Sequence, residues 1–443
     1  MSAESQPDPL SSDDVAGSSV SQNSALKGVV LASLVGTTVE WYDFSIFTAS
    51  SALVFQNAFF PTSAPNTGIL LAFLTYAIGF AARPFGAILF GHLGDRIGRK
   101  PVLVFTFVVM GGTTTLIGLL PTYAMVGGLA PVLLVSLRLI QGIALGGEFG
   151  GAALLTNETA PEGRRGLFSS AVMVGLSAGI LLGSAVFALF AMLPRADFLA
   201  WGWRIPFLAS LPLVLLGLWV RAHVAETPAF RRDRTHLKPP AAPLVQVLRH
   251  SPKRLLLVCG ARVGENTQYN FTAAFALHFA TSELGVSPSL YLSAVTIANV
   301  ASVVLIPLFG SLSDRIGRRP VARLGGFAAL VGGAIFFPLL QIGSPIAVIL
   351  AVMLMIGLSA SLNNAVPGSW FPEQFPVAYR YTGVSVGYQL ATAAGGFTPA
   401  IATLVYARFG IGGLTTYLVA AGAVIMLCVS LLPETAPRVR PEG

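Results

Sequence analysis

Charge is scarce in this chain. Of its 443 residues only 10% are Asp, Glu, Lys or Arg, where a soluble globule carries about 25%, so an ordinary water-soluble domain is excluded. Cysteine is nearly missing. Cys259 and Cys428 both fall inside apolar runs, which argues against a disulfide scaffold and says nothing of redox compartment. The five histidines lack metal-ligand spacing. A Ser/His/Asp constellation, a haem signature and a Walker A phosphate loop are also lacking, so enzymatic chemistry, a cofactor, a bound metal and ATP drive are not expected. Strand-type alternation is absent, which argues against a barrel.

What the chain has is apolar length. The hydrophobic fraction is 54% and mean hydropathy is +0.74. Helices of ~20 apolar residues cross ~30 Å of hydrocarbon, and twelve such runs are expected. They lie near 27–51, 67–92, 101–120, 131–157, 166–192, 203–222, 254–281, 288–312, 321–342, 345–371, 380–408 and 411–433. The fold class is therefore an all-α membrane protein with twelve transmembrane helices. Residues 1–24 are polar and read as a disordered tail without a cleavable signal. Residues 25–222 form a first six-helix bundle and 254–433 a second. The Pro-rich, basic stretch 223–253 links them, and 434–443 is a short tail.

Two echoes say that the bundles are related. GHLGDRIGRKP, from Gly91, returns as GSLSDRIGRRP, from Gly310, at an offset of 219 residues, about half the chain. Glu158, Pro161 and Arg165 return as Glu373, Pro376 and Arg380 at an offset of 215. Repeats at half length are the mark of a duplicated transporter fold.

Orientation follows from Lys and Arg. Of the 27 in the chain, only Arg195, Arg204 and Arg408 fall on one side and Arg83, Arg138 and Arg262 within runs; the rest share the other side. Both termini are then expected in the cytoplasm. The net charge of +8 is accounted for by this loop bias, and nucleic acid is not expected as a partner.

Six plus six runs with the Gly91 and Gly310 loops resemble the major facilitator superfamily. GTTVEWYDF from Gly36, FAARPFGAILFGHLGDRIGRK from Phe80, RLIQGIALGGEFGGA from Arg138, APEGRRG from Ala160, WGWRIPF from Trp201 and AETPAF from Ala225 are together similar to its metabolite:proton symporters. GARVGENTQYNFTAAF from Gly260 is similar to their shikimate-type members. The chain departs from many relatives at Phe149, where they carry Trp. The resemblance implies a monomer in the bacterial inner membrane that moves a small organic anion with H+ by alternating access. A proline/betaine-type zwitterion symporter and a drug/proton antiporter are the alternatives within transport. A membrane enzyme or sensor would need a catalytic or output module, which the chain lacks.

Charged side chains inside the runs mark the candidate site, because each costs roughly 2.5–3.5 kcal/mol at mid-membrane unless paired or wet. Glu40 and Asp43, three apart, look to one side of a helix and cannot both ionise readily in a cavity, which suits proton coupling; Glu148 and Glu265 are further candidates for it. Anchoring of Arg83 is the plain alternative for one of the first two. Arg138, Gln141 and Glu148 share a stripe; Arg138 and Glu148 are ~15 Å apart along it, too far to pair. Arg138 can clasp helices or face an anion, and the resemblance implicates it in proton transfer. Arg262 offers a fork for a carboxylate, or a partner for Glu265 three residues on. Gln268, Tyr269, Asn363 and Asn364 are candidates for substrate hydroxyls. In the loop motif, Gly91, Asp95, Arg96 and Arg99, with Asp314, Arg315 and Arg318 in the second copy, read as a gate between conformations.

Overall fold

The computed structural model describes residues 12–61, 65–97, 99–146, 149–161, 163–223 and 243–436. Among them the helices form twelve long segments. The first is Ser12–Leu53 and the second is Pro65–Ala81 continued by Arg83–Ile97. The third is Arg99–Leu119, the fourth Leu129–Leu145 with Phe149–Thr159, and the fifth Arg165–Ala191. The sixth covers Arg195–Trp219. The seventh is Pro252–Asn270 carried on to Ser282, the eighth Pro288–Ile316 and the ninth Arg318–Gln341. The tenth covers Pro345–Glu373. The eleventh starts at Arg380 and the twelfth ends at Leu431, the chain reversing between them at Gly410. Seven helices are long and apolar enough to cross a membrane by length and composition, the last two segments being counted together.

In hydrocarbon every backbone polar group must be satisfied within the chain, which is why such a sequence takes helices throughout. Local chemistry sets several ends. The eighth and tenth segments open on Ser–Pro: the hydroxyls of Ser287 and Ser344 accept from the amides of Leu290 and Ala347, and Pro288 and Pro345 supply a preset first turn. The first helix runs further towards the N-terminus than its apolar run, through residues 12–24, a stretch that contains no proline. Within the stretch expected as a linker, Pro243–His250 is helical. The motif turn between the eighth and ninth segments falls on Gly317, whose φ of 104° suits glycine alone.

Exposure is inverted relative to a soluble protein. Phe85 is 71% and Ile346 71% exposed, whereas Glu40, Asp43, Arg83, Arg138, Arg262 and Glu265 are all buried. Large apolar groups outside and charges inside match a lipid solvent. The first six segments pack together, the first lying along the fifth and the third against the fourth and sixth. In the second six, the seventh lies against the eleventh and twelfth, and the ninth against the twelfth. The halves meet along two lines: the fifth segment on the eighth, and the second on the eleventh. Exchanging equivalent helices turns one line into the other, as a two-fold relation between bundles requires.

Candidate functional site

Polar side chains gather in two buried clusters, one per half. In the first half, Glu40 and Asp43 each have a partner on a neighbouring helix. Arg83 of the second helix reaches Glu40 at 3.5 Å and also stacks over Phe80 at 4.5 Å. Asp43, one turn on, takes a 2.6 Å hydrogen bond from the hydroxyl of Thr114 in the third helix. Anchoring of Arg83, the plain alternative for one of the acids, is thus what the geometry shows at Glu40.

Arg138 lies across the second helix. Its guanidinium sits 3.9 Å from the centre of the Phe47 ring and donates to Gln141 Oε1, one turn along its own helix. Gln141 Nε2 donates in turn to Thr114 Oγ1 at 2.6 Å. Close approach makes this possible: a Cβ on Gly79 would fall 2.4 Å from Arg138 Nε, and one on Gly142 would fall 2.0 Å from the Gly79 carbonyl oxygen. Glu148 lies outside the described residues.

In the second half Arg262 and Glu265 meet directly, Nη1 to Oε2 at 2.7 Å, as their spacing allowed. Arg262 also donates to Asn364 Oδ1 at 2.7 Å and to the Tyr388 hydroxyl at 2.7 Å, and its guanidinium covers the Tyr388 ring at 4.5 Å. Asn364 Nδ2 closes the circuit on Glu265 Oε1 at 3.0 Å. Three helices thus hold one ion pair, and the hydrogen bonds from Asn364 and Tyr388 offset part of its desolvation. Beside it is a cavity of about 20 Å³ lined by Arg262, Glu265, Asn363 and Trp370 among others, room for one water where ~10–15 Å³ suffices. Two wide π turns, Phe271–Phe275 and Met353–Ala360, flank the polar stretches of the seventh and tenth segments; such turns are frequent at functional sites.

One hydroxyl-contact candidate is corrected. Gln268 faces away from the first half, its amide donating to the carbonyls of Ala329 at 2.9 Å and Leu418 at 3.1 Å. Asn363 turns about 100° from Asn364 and donates to the Ser359 carbonyl, yet it lines the cavity beside Arg262 and Glu265. Tyr269 is buried, with Asn299 of the eighth helix beside its hydroxyl. The polar bridges that do cross between halves had not been expected: the Tyr76 hydroxyl donates to Asn270 Oδ1 at 2.6 Å, and Gln389 Nε2 to the Gly146 carbonyl at 3.3 Å. A signal was present for Thr114, the middle of three threonines in an apolar run, and for Tyr388 and Gln389, polar residues inside the eleventh run.

The second copy of the loop motif also joins the halves. Asp314 accepts from the backbone amides of Gly166 at 2.8 Å and Leu167 at 3.0 Å, at the first turn of the fifth helix, where open N–H groups and the helix dipole favour an anion. Arg318 holds the same carboxylate at 2.7 Å, with Glu373 3.8 Å away. Glu434 caps the ninth helix, accepting from the amides of Arg318 and Arg319. Arg315 is exposed and stands apart from this contact, a correction to its place in the gate: it follows Asp314 directly and so points to another side of the helix. In the first copy Gly91, Asp95, Arg96 and Arg99 lie outside the side chains described.

A family model for sugar (and other) transporters matches residues 28–255, and one for the major facilitator superfamily matches 265–443. The chain belongs to the major facilitator superfamily. Its relatives include the shikimate transporter of Escherichia coli K12, 38% identical over 94% of this chain and 96% of that protein. The inner membrane metabolite transport protein YhjE of the same organism is 36% identical over 92% and 94%. The E. coli K12 proline/betaine transporter is 31% identical over 93% and 84%. Among solved structures, the proton:xylose symporter XylE bound to 6-bromo-6-deoxy-D-glucose superposes with a TM-score of 0.74 over 94% of this chain and 97% of that one, at 18% identity. This member of the superfamily is thus a multi-pass membrane transporter for small molecules, not an enzyme.

Proposed function

We propose that this transporter is a proton-coupled importer of a small organic acid, shikimate-like in its chemistry, working by alternating access. One observation carries the reading: Arg262, a forked cation buried deep in the second half, is held by an acid that can be neutralised. Glu265 engages the guanidinium through one oxygen, Oε2, whereas an incoming carboxylate can offer the fork two. Protonation of Glu265 removes the competing charge and leaves Arg262 to the substrate, with Asn364 and Tyr388 as neighbours for hydroxyls. Asp43 takes the proton that travels with the solute. Arg138, linked to it, stands beside Tyr76 at the seam between the halves. If one proton in all travels with one monoanion, passing by way of Glu265 and Asp43, no net charge moves and the pH difference alone drives the cycle; if each acid carries its own, two protons travel. Each further proton adds ~2.3 kcal/mol per 100 mV.

The Lys and Arg distribution supports placing both termini in the cytoplasm of a bacterial inner membrane. The Asp314 contact then holds the cytoplasmic ends of the halves together and opens to release substrate. A monomer contains every group the cycle needs.

The decisive experiment is uptake into proteoliposomes under an inward proton gradient, offered shikimate, other organic acids, betaine and a cationic dye in turn. Accumulation of a carboxylate that collapses with a protonophore is expected. Accumulation of the dye alone, or uptake indifferent to the protonophore, overturns the proposal. A second reading, a zwitterion symporter, is favoured by the ion pair itself: Arg262 and Glu265 offer one partner for each end of betaine or proline. Betaine uptake in preference to shikimate selects it.

A further inference from the structure

Thr114 has no part in the cycle just described, yet it joins the two groups that cycle depends on in the first half. It is 1% exposed. Its Oγ1 lies 2.6 Å from Asp43 Oδ2, 2.6 Å from Gln141 Nε2 and 3.1 Å from the Met110 carbonyl oxygen. A hydroxyl has one proton to give, and an amide nitrogen can only donate. Gln141 therefore occupies a lone pair of Oγ1, and the hydroxyl proton goes to Asp43 or to Met110. The shorter, charged acceptor takes it while Asp43 is ionised. At the other end Gln141 Oε1 accepts from Arg138, which has no acceptor atom. The direction of the whole chain is thus fixed: guanidinium to amide, amide to hydroxyl, hydroxyl to carboxylate.

The remaining carboxylate oxygen completes the case. Asp43 Oδ1 is buried and has no hydrogen-bond partner among the described residues, while Oδ2 is engaged by Thr114. An arriving proton therefore settles on Oδ1. The other charged and titratable groups facing Asp43 are Glu40 on its own helix, the adjacent Tyr42, and Arg138 from the fourth helix; Arg83 of the second helix acts on Arg138 and Glu40.

We infer that Thr114 is the positioning residue of the coupling site: its hydroxyl directs the proton to the free oxygen of Asp43, sets how tightly it is held, and reports its arrival to Arg138 through Gln141. When Asp43 is neutral, its pull on the hydroxyl weakens and the Met110 carbonyl competes for it. The chain to Arg138 loses polarisation with that turn, because linked hydrogen bonds strengthen one another. The inference rests on the reading of Asp43 as the proton carrier.

The test needs no substrate. Wild-type protein and the variants D43N, T114V, T114A and T114S are placed in lipid nanodiscs, and the infrared band of protonated carboxyl groups is titrated. The band lost in D43N belongs to Asp43. Removing a donor from a carboxylate makes it hold its proton more tightly, so T114V and T114A are expected to move the midpoint up by about one pH unit. T114S, which keeps the hydroxyl, is expected to leave it in place. A wild-type midpoint in T114V and T114A, or an equal displacement in T114S, overturns the inference while Asp43 remains the carrier. If D43N removes no titrating band, the carrier reading itself falls and takes the inference with it.

Discussion

The two halves bury the same ingredients and arrange them differently. In the second half arginine and acid touch: Arg262 and Glu265 are 2.7 Å apart on one helix. In the first half Arg138 and Asp43 stand on different helices and are joined by hydrogen bonds through Gln141 and Thr114. A direct pair is a contest, in which a third charged group displaces one member. A relayed pair is a conduit, in which a change of charge at one end alters hydrogen bonding at the other without exchange of partners. Related bundles can thus divide labour, the second suited to binding an anion and the first to sensing a proton.

Substitutions can break or sharpen this contrast. The largest effect is expected from R262A, which strands Glu265 in a dry setting. Removing one member of a buried pair costs about 3–5 kcal/mol, so uptake should fall below detection. The double variant R262A/E265A should recover expression but not transport, a coupling visible in a two-by-two cycle of folded yield. R262K keeps the charge and loses the fork; its apparent KM should rise about 10-fold or more, and an unchanged KM in well-expressed protein would remove Arg262 from the binding site.

D43N is next. It should abolish accumulation against a gradient while counterflow exchange persists, since exchange needs no net proton movement. In wild type, lowering external pH at fixed internal pH should raise the initial rate, because external protons are then a co-substrate. D43N should flatten that dependence; a D43N protein that still accumulates substrate would place the coupling proton elsewhere. D314A should have a smaller effect: a turnover several-fold slower with little change in affinity, because it loosens a contact between halves and not one with the solute. A pure affinity defect would contradict the gating role. The mildest is E40Q, which leaves Arg83 a neutral acceptor and its stacking on Phe80; a loss within about 5-fold in initial uptake rate is expected.

Much of the fold was legible in the sequence because a bilayer imposes one rule on every segment. Apolar length alone set the number of helices, and Ser287–Pro288 and Ser344–Pro345 set two starts to the residue. The site was legible in kind but not in pairing. Arg262 and Glu265 were within reach because three residues on a helix are neighbours whatever the tertiary fold. Asp43 and Thr114 are separated by 71 positions, and no helical period joins them. Gln268 shows the converse. Its polarity suggested solute contact, but which face of a helix looks inward depends on its neighbours, and the carbonyls of Ala329 and Leu418 claimed it.

The clasp at Asp314 has one more consequence. Half of it is written in the main chain, since the partners are amide groups of positions 166 and 167 and not their side chains. Any residue except proline supplies those donors, so position 167 is chemically free to vary. Position 166 is limited by room alone, for a methyl group there would come 2.4 Å from the Gly310 carbonyl oxygen and 2.3 Å from Arg318 Nη1. On the side-chain side the joint rests on the Asp314 carboxylate and on Arg318, which holds it at 2.7 Å, so variation that tunes this contact is confined to those two positions.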